Sequence, residues 1–394
     1  MRAAPREPVL RAPGAQRSRV SEVELFYDLV FVFAVTQLSH GLLEQLTAHG
    51  ALRTGLLFLG VWWMWMFTAW TTNWLNPAST PVRQLLFALM LLGLAMSSAL
   101  PQAFGDKGLL FAVAYVAQHL LRTLYVIHAF GRATPRGMNF VRILTWQLAA
   151  GACWIAGGLA DPQARMLWWA AAIGIEYLGP ISFFRVPGMG RSSTSEWDVD
   201  PRHMAERCGL FVIIALGESL VVTGATFAGL PMERPQLLAL LVAFTGTVAM
   251  WWLYFDTGSE RATHHFEHAA DRGRVARNAY TYLHMPIIAG VILCAVADEL
   301  VLVHPGHATE AGIAAILGGP ALYLLGNLLF KWITNTRPTP PLSHMVGLAL
   351  LAALAPFAFG HAFSALALGA LATAVLMLVA TWEWLALHRA APAN

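Results

Sequence analysis

The stretch ELFYDLVFVFAVTQLSHG, residues 24–41, decides how the chain is read. Apolar residues dominate it over a length suited to crossing a bilayer. Yet it carries Asp28, Gln37 and His40, which hydrocarbon rejects. A membrane helix with such residues must turn them toward partners inside a bundle.

The rest of the chain has the same character. Its 394 residues are 57% hydrophobic and 12% charged, where an ordinary soluble domain has about 25% charged residues. Mean hydropathy is +0.57. Fifteen Trp and 21 Phe suit a bilayer, where Trp favours the interfaces. Apolar runs of about 20 residues recur along the chain. They predict an all-α, polytopic transmembrane bundle of twelve helices over 24–47, 52–75, 82–104, 108–131, 139–159, 165–185, 205–228, 235–256, 275–302, 310–333, 341–361 and 363–388. The expected organisation is a disordered cytoplasmic tail (1–23), a first six-helix half (24–185), a cytoplasmic linker (186–204), a second half (205–388) and a short tail (389–394). No cleavable signal peptide is expected, because the first apolar run is too long for one. Cys153, Cys208 and Cys294 have no paired spacing and indicate neither a disulfide frame nor a metal site.

Basic residues predict the orientation. Of the 25 Lys and Arg, 20 fall at the span ends that share a side with the N-terminus. Four fall on the other side: Arg53, Lys107, Arg165 and Arg234. Arg122 is inside a span. The asymmetry predicts both termini in the cytoplasm. The two halves also resemble one another. ELFYDLVFVFAVTQL aligns without gaps to ERCGLFVIIALGESL, with Glu24 on Glu206, Val30 on Val212 and Leu38 on Leu220. Six spans per half would make a parallel repeat.

Polar residues within the spans are the candidate site. At 1.5 Å per residue, Glu218 lies about 18 Å into its span, between the small residues Gly217 and Ser219. Arg122 and Glu176 also fall near mid-depth, and read as a buried charge pair that could hold helices in register. His119 shares a helical face with Arg122, and Gln37 shares one with His40. Asp28 is shallower and reads as a helix-dipole partner or an entry acid. His284, two residues before Pro286, either bonds a freed carbonyl or lines a cavity. The expected ion or substrate pathway is therefore Glu218, Gln37, His40, Asp28, Ser219 and His284. Glu218 is expected to face Gln37 and His40.

HHFEH at 264–268 matches an inverted zinc-protease pattern. Its loop is too short to build a protease cleft, and no bound zinc is expected. No nucleophile elbow, phosphate loop or dinucleotide fingerprint is present, so no catalytic residues are expected. No cofactor or nucleic-acid partner is expected either. The expected partners are membrane lipid and an ion or small solute.

VSEVELFYDLVFVFAVTQLSHGL (20–42), AERCGLFVIIALGESLVV (205–222) and YLHMP (282–286) together resemble the bacterial low temperature requirement A family (LtrA). The resemblance covers nearly the whole chain. It implies an integral membrane protein linked to growth in the cold, and it brings no established substrate or catalytic residues. A looser likeness is to the lysosomal potassium channel family, although Arg19 stands at a different spacing from Asp28 here. A channel or secondary transporter of the bacterial cytoplasmic membrane is the leading expectation. A structural or regulatory membrane protein is the alternative. An enzyme acting on a lipid-borne substrate is disfavoured by the lack of a paired nucleophile and base.

Overall fold

The computed structural model describes residues 8–11, 19–194, 197–256, 260–334 and 339–390. Most of the tail expected to be disordered lies outside them, as do residues 195–196 of the linker and most of the C-terminal tail. Among the described residues the regular structure is helical, with only two isolated β-bridges, Leu10 to Leu75 and Val186 to Gly190.

Twelve helices of 18 or more residues are described. The first six are α1 (Glu22–Glu44), α2 (Ala48–Trp74), α3 (Thr80–Ala99), α4 (Gly108–Phe130), α5 (Pro135–Leu159) and α6 (Pro162–Ile181). Then come α7 (Pro201–Ala228) and α8 (Arg234–Tyr254). Two short helices follow, α9 (Glu260–His268) and α10 (Arg272–Val275), and a π-helical segment, Ala276–Tyr282. The chain ends in α11 (His284–Val303), α12 (Glu310–Thr334), α13 (Leu342–Phe359) and α14 (Ala365–Ala390).

Ten segments are long and apolar enough to cross a membrane. The expected second and sixth spans are helical but fall outside that set. Composition accounts for it: α2 is rich in tryptophan, with Trp62, Trp63, Trp65 and Trp70, and α6 carries Gln163, Arg165 and Glu176. Helix starts follow local chemistry. Thr134 accepts from the Gly137 N–H ahead of Pro135, and Asp161 accepts from the N–H groups of Gln163 and Ala164 ahead of Pro162. Each satisfies donors that a helix start leaves open, and proline fits the first turn because its missing N–H would be unpaired there anyway.

The chain forms two compact units. Unit 1 comprises residues up to 41, 49–207 and 270–277, and unit 2 comprises 42–48, 208–269 and 278 onward. The core of unit 1 is aromatic. Phe111, Tyr115, Trp154 and Trp169 pack ring on ring, and Trp63 stacks on Tyr177 with centroids 4.2 Å apart. Arg165 closes one end of this core. Its guanidinium donates to the carbonyls of Ala103, Gly105, Gly157 and Ala160 at 2.7–3.1 Å.

In unit 2, α11 and α12 run backbone to backbone. A Cβ on Gly290 would sit 2.5 Å from the Tyr323 nitrogen, and one on Gly326 would sit 2.7 Å from the Ile287 nitrogen. Small residues are the usual way to bring membrane helices this close.

Candidate functional site

The first two turns of α1 enter unit 1 as the acid side of a buried polar network. Ser21 donates to Glu24 Oε2 from its N–H and its hydroxyl, at 2.9 and 2.8 Å. Glu24 Oε1 meets His203 Nε2 of α7 at 2.8 Å, and both side chains are fully buried. Asn73 at the end of α2 reaches His203 Nδ1 at 3.3 Å and also bonds the backbone of Asp200. An imidazole that accepts at Nδ1 carries its proton at Nε2, which is the atom aimed at Glu24. Arg11 closes this tier from outside. It donates to the carbonyls of Thr72 and Leu75 and lies 3.6 Å from Glu24. Burial lowers the pKa of its guanidinium, and the Glu24 charge opposes that shift.

One turn deeper is the second tier. Asp28 Oδ1 accepts from Arg207 Nη2 and from Trp65 Nε1, both at 2.8 Å. Asp28 and Arg207 are completely buried, and the guanidinium lies over the Trp65 ring at 5.6 Å. Each residue is six positions into its helix, so about 9 Å from the helix start. The bland expectation for Asp28, a dipole partner near the membrane surface, understates its place: it is half of a desolvated ion pair. The pair is not saturated. Asp28 Oδ2, Arg207 Nε and Arg207 Nη1 are buried without a hydrogen-bond partner among the described residues.

The third tier joins α1, α2, α4, α5 and α6. Tyr27 and Thr68 share a hydrogen bond of 2.8 Å, and Arg122 donates to Thr68 at 3.0 Å. Arg122 Nη2 lies 2.6 Å from His119 Nδ1, and Gln147 Nε2 lies 3.2 Å from the same nitrogen. With two donors facing Nδ1, the His119 proton sits on Nε2. That nitrogen faces Glu176 Oε1 at 3.8 Å. Glu176 also accepts from the Tyr115 hydroxyl at 2.7 Å and from the Trp154 indole at 3.3 Å. Arg122 and Glu176 thus share one buried network but make no direct ion pair, because His119 stands between them.

The three tiers hold three carboxylates, Glu24, Asp28 and Glu176, and three arginines, Arg11, Arg207 and Arg122. A buried charge is tolerated when paired and hydrogen-bonded. Next to the network is a cleft of about 570 Å³ lined by Leu10, Trp74, Phe130, Arg136, Phe140 and Trp197 among others. None of the network's charged side chains lines it, and Arg136 is already paired with Asp198 at 2.8 Å.

The remaining candidates make none of the contacts of this network. Gln37 is half-buried and His40 exposed, both on the part of α1 that belongs to unit 1. Glu218 and Ser219 lie on the part of α7 that belongs to unit 2, and both are buried. The Ser219 hydroxyl has no hydrogen-bond partner among the described residues. His284 is fully buried in unit 2, bonded to the Ala279 carbonyl through Nδ1 at 3.0 Å and to the Tyr254 hydroxyl through Nε2 at 2.8 Å. The Ala279 carbonyl lies seven residues before Pro286, so it is not the carbonyl at Tyr282 that the proline leaves without its helical N–H. In HHFEH, the His264 and His268 rings stack 4.3 Å apart on one turn of α9. No group of three metal-ligating residues forms among the described residues.

Sequence reasoning overlooked His203, Arg207, Trp65, Thr68, Asn73 and Gln147. One signal was available. Glu24 and Asp28 are four apart on α1, as His203 and Arg207 are on α7, so each pair presents one face of a helix to the other.

A family model described as bacterial low temperature requirement A protein (LtrA) matches residues 19–381. An uncharacterized protein of Rhizobium meliloti (strain 1021) is 40% identical over 384 residues, covering 96% of this chain and 92% of that protein. The chain belongs to the low temperature requirement A family, and is an integral membrane protein.

Proposed function

We propose that this low temperature requirement A protein carries an ion or small solute across the bacterial cytoplasmic membrane, with both termini in the cytoplasm and with buried acidic positions on the route. The observation that supports this reading is the three-tier network of unit 1. Ionisable groups inside membrane spans are costly and tend to mark pathways. Here they run inward from the ends of α1, α2 and α7, and the middle tier keeps three unused polar atoms. Glu176 has two fixed donors and a third, His119 Nε2–H, at 3.8 Å. A small movement of that imidazole changes what the carboxylate holds, which is what a relay or a coupling site requires. Glu218, beside the unsatisfied Ser219, is the proposed acidic position of unit 2.

One observation favours a second reading, that of a structural or regulatory membrane protein. The acids and arginines of the network match in number, as they would in a set of helix staples. Ion flux in proteoliposomes separates the two. Wild type should conduct, and Glu176→Gln and Glu218→Gln should insert normally while flux falls about tenfold or more. Wild-type vesicles no leakier than empty ones, across a panel of monovalent ions and protons, would leave the staple reading in place.

A further inference from the structure

We propose that Asp298 of α11 is a proton-binding site within the membrane, exchanging its proton with water in a small cavity of unit 2. This is separate from the network of unit 1 and does not rest on the transport reading. Asp298 is five residues before the end of α11, about 8 Å along the helix. It is half-buried and makes no hydrogen bond or ion pair among the described residues. Every other acid discussed above as part of a network has at least one donor or cation against it. An unpaired carboxylate is the costly form in hydrocarbon, and the neutral acid is the form that a site without a cation stabilises.

The cavity beside it gives the proton somewhere to go. About 30 Å³ is open to a water-sized sphere, where one water needs at least ~10–15 Å³ by that measure. A buried water also needs two to four polar partners. Residues that line the cavity can supply them. Asp298 is one, and Thr373 of α14 is a second, its hydroxyl oxygen lying 3.2 Å from where a Cβ on the lining residue Gly246 would stand. Ile316 of α12 also lines the cavity, and its carbonyl lacks the usual helical N–H because Pro320 stands four residues on. Gly246 and Gly369 keep the walls from α8 and α14 low.

The groups facing Asp298 add no charge. Cys294, one turn earlier on α11, is the ionisable neighbour, and the cavity residues of α8, α12 and α14 contribute none. The step itself balances simply: water in the cavity takes the proton as hydronium and leaves the carboxylate, and the reverse restores the acid.

Infrared spectroscopy of the purified full chain tests this. A protonated-carboxyl band should be present at neutral pH, shift in D2O, disappear at alkaline pH, and be missing from Asp298→Asn. Should Asp298→Asn fail to fold, Asp298→Glu should move the band instead. Thr373→Val, which removes one partner of the water, should raise the pH at which the band disappears. Spectra of wild type and both Asp298 variants that do not differ would overturn the site. So would a band that D2O leaves unmoved, since water would then not reach the acid. Loss of the band on adding sodium but not choline at constant pH would make this a metal-cation site and overturn the proton assignment.

Discussion

Units 1 and 2 contain helices with similar short stretches of sequence put to different uses. The fourth helix of unit 1 reads Tyr115-x-x-x-His119-Leu-Leu, and α12 of unit 2 reads Tyr323-x-x-x-Asn327-Leu-Leu. In unit 1 the tyrosine donates to Glu176 and the histidine joins Arg122 to the same acid. In unit 2 the tyrosine donates to the Met250 carbonyl, and Asn327 turns back to the carbonyl of Tyr323. The charges of α12 and α14, Lys331 and Glu383, pair directly nearer the helix ends, where Ser343 also donates to Glu383. Glycine shows the same contrast. In unit 1 Gly157 makes room for a large side chain: a Cβ on it would lie 2.4 Å from the Trp169 ring. In unit 2 Gly290 and Gly326 let two backbones touch. One unit gathers its charges into a network packed by aromatics. The other packs helices on small residues and leaves acids near small spaces.

The largest effect should come from breaking the network where it is most desolvated. Arg207→Ala would leave Asp28 buried and uncompensated, at a cost of about 3–5 kcal/mol. Thermal unfolding in detergent should show most of the stability lost. Asp28→Leu with Arg207→Met removes both charges and should restore much of it, since apolar replacement of a whole buried pair is often neutral. In unit 2 the corresponding break, Glu383→Gln, should cost less, because that pair is partly exposed. Equal losses in the two units would end the contrast.

Arg165→Lys should come next. One ammonium cannot replace a guanidinium that reaches four carbonyls, and buried acceptors left unpaired cost roughly 1–3 kcal/mol each. Protease protection of the segment joining α3 to α4 reports it directly.

The glycines give a finer comparison. Gly290→Ala drives a methyl into the α12 backbone, whereas Gly157→Ala meets a side chain, the Trp169 indole, rather than backbone. Overpacking costs of about 1–3 kcal/mol are usual, and Gly290→Ala should lie at the upper end. A lower melting temperature for Gly157→Ala than for Gly290→Ala would reverse the assignment of rigid and yielding packing.

Much of this fold is legible in the sequence, and the reason is the solvent. Apolar length alone identifies helices in lipid, so the all-α class and the twelve long helices follow from runs of about 20 residues. The π-helical segment and α9 do not, because they are short and depend on tertiary support. The site was half legible. Arg122, Glu176 and Asp28 could be picked out because a charge in an apolar run is conspicuous. Their partners were harder to find, because Asp28 and Arg207 stand 179 residues apart and only the matching four-residue spacings of Glu24 with Asp28 and His203 with Arg207 hint at such a contact. Asp298 escaped for the opposite reason: it sits close to a span end, where a carboxylate looks like an ordinary boundary residue.

The smallest expected effect concerns the caps of the last long helix in each unit. In unit 1 Asp161 caps α6, and in unit 2 Ser364 caps α14 by accepting from the Ala367 N–H at 3.2 Å. The N–H groups of Ala164 and Gln163 hold the Asp161 carboxyl below its ordinary pKa. A group with a lowered folded-state value contributes its stability above the unfolded value and loses it as pH falls through the folded one. Protection from hydrogen exchange at the first turn of α6, measured against the intrinsic rate at each pH, should therefore fall on acidification below the normal carboxylate range. The first turn of α14 should show no such step, because a hydroxyl does not titrate there. Asp161→Asn keeps a good cap but has no proton to gain, so it should remove the acid sensitivity of α6 while leaving neutral-pH protection nearly unchanged. Because Asp161 is exposed to solvent, the shift should be modest. An acid step of equal size at α14, or one that survives in Asp161→Asn, would show that acid loosens both units by some route other than their caps.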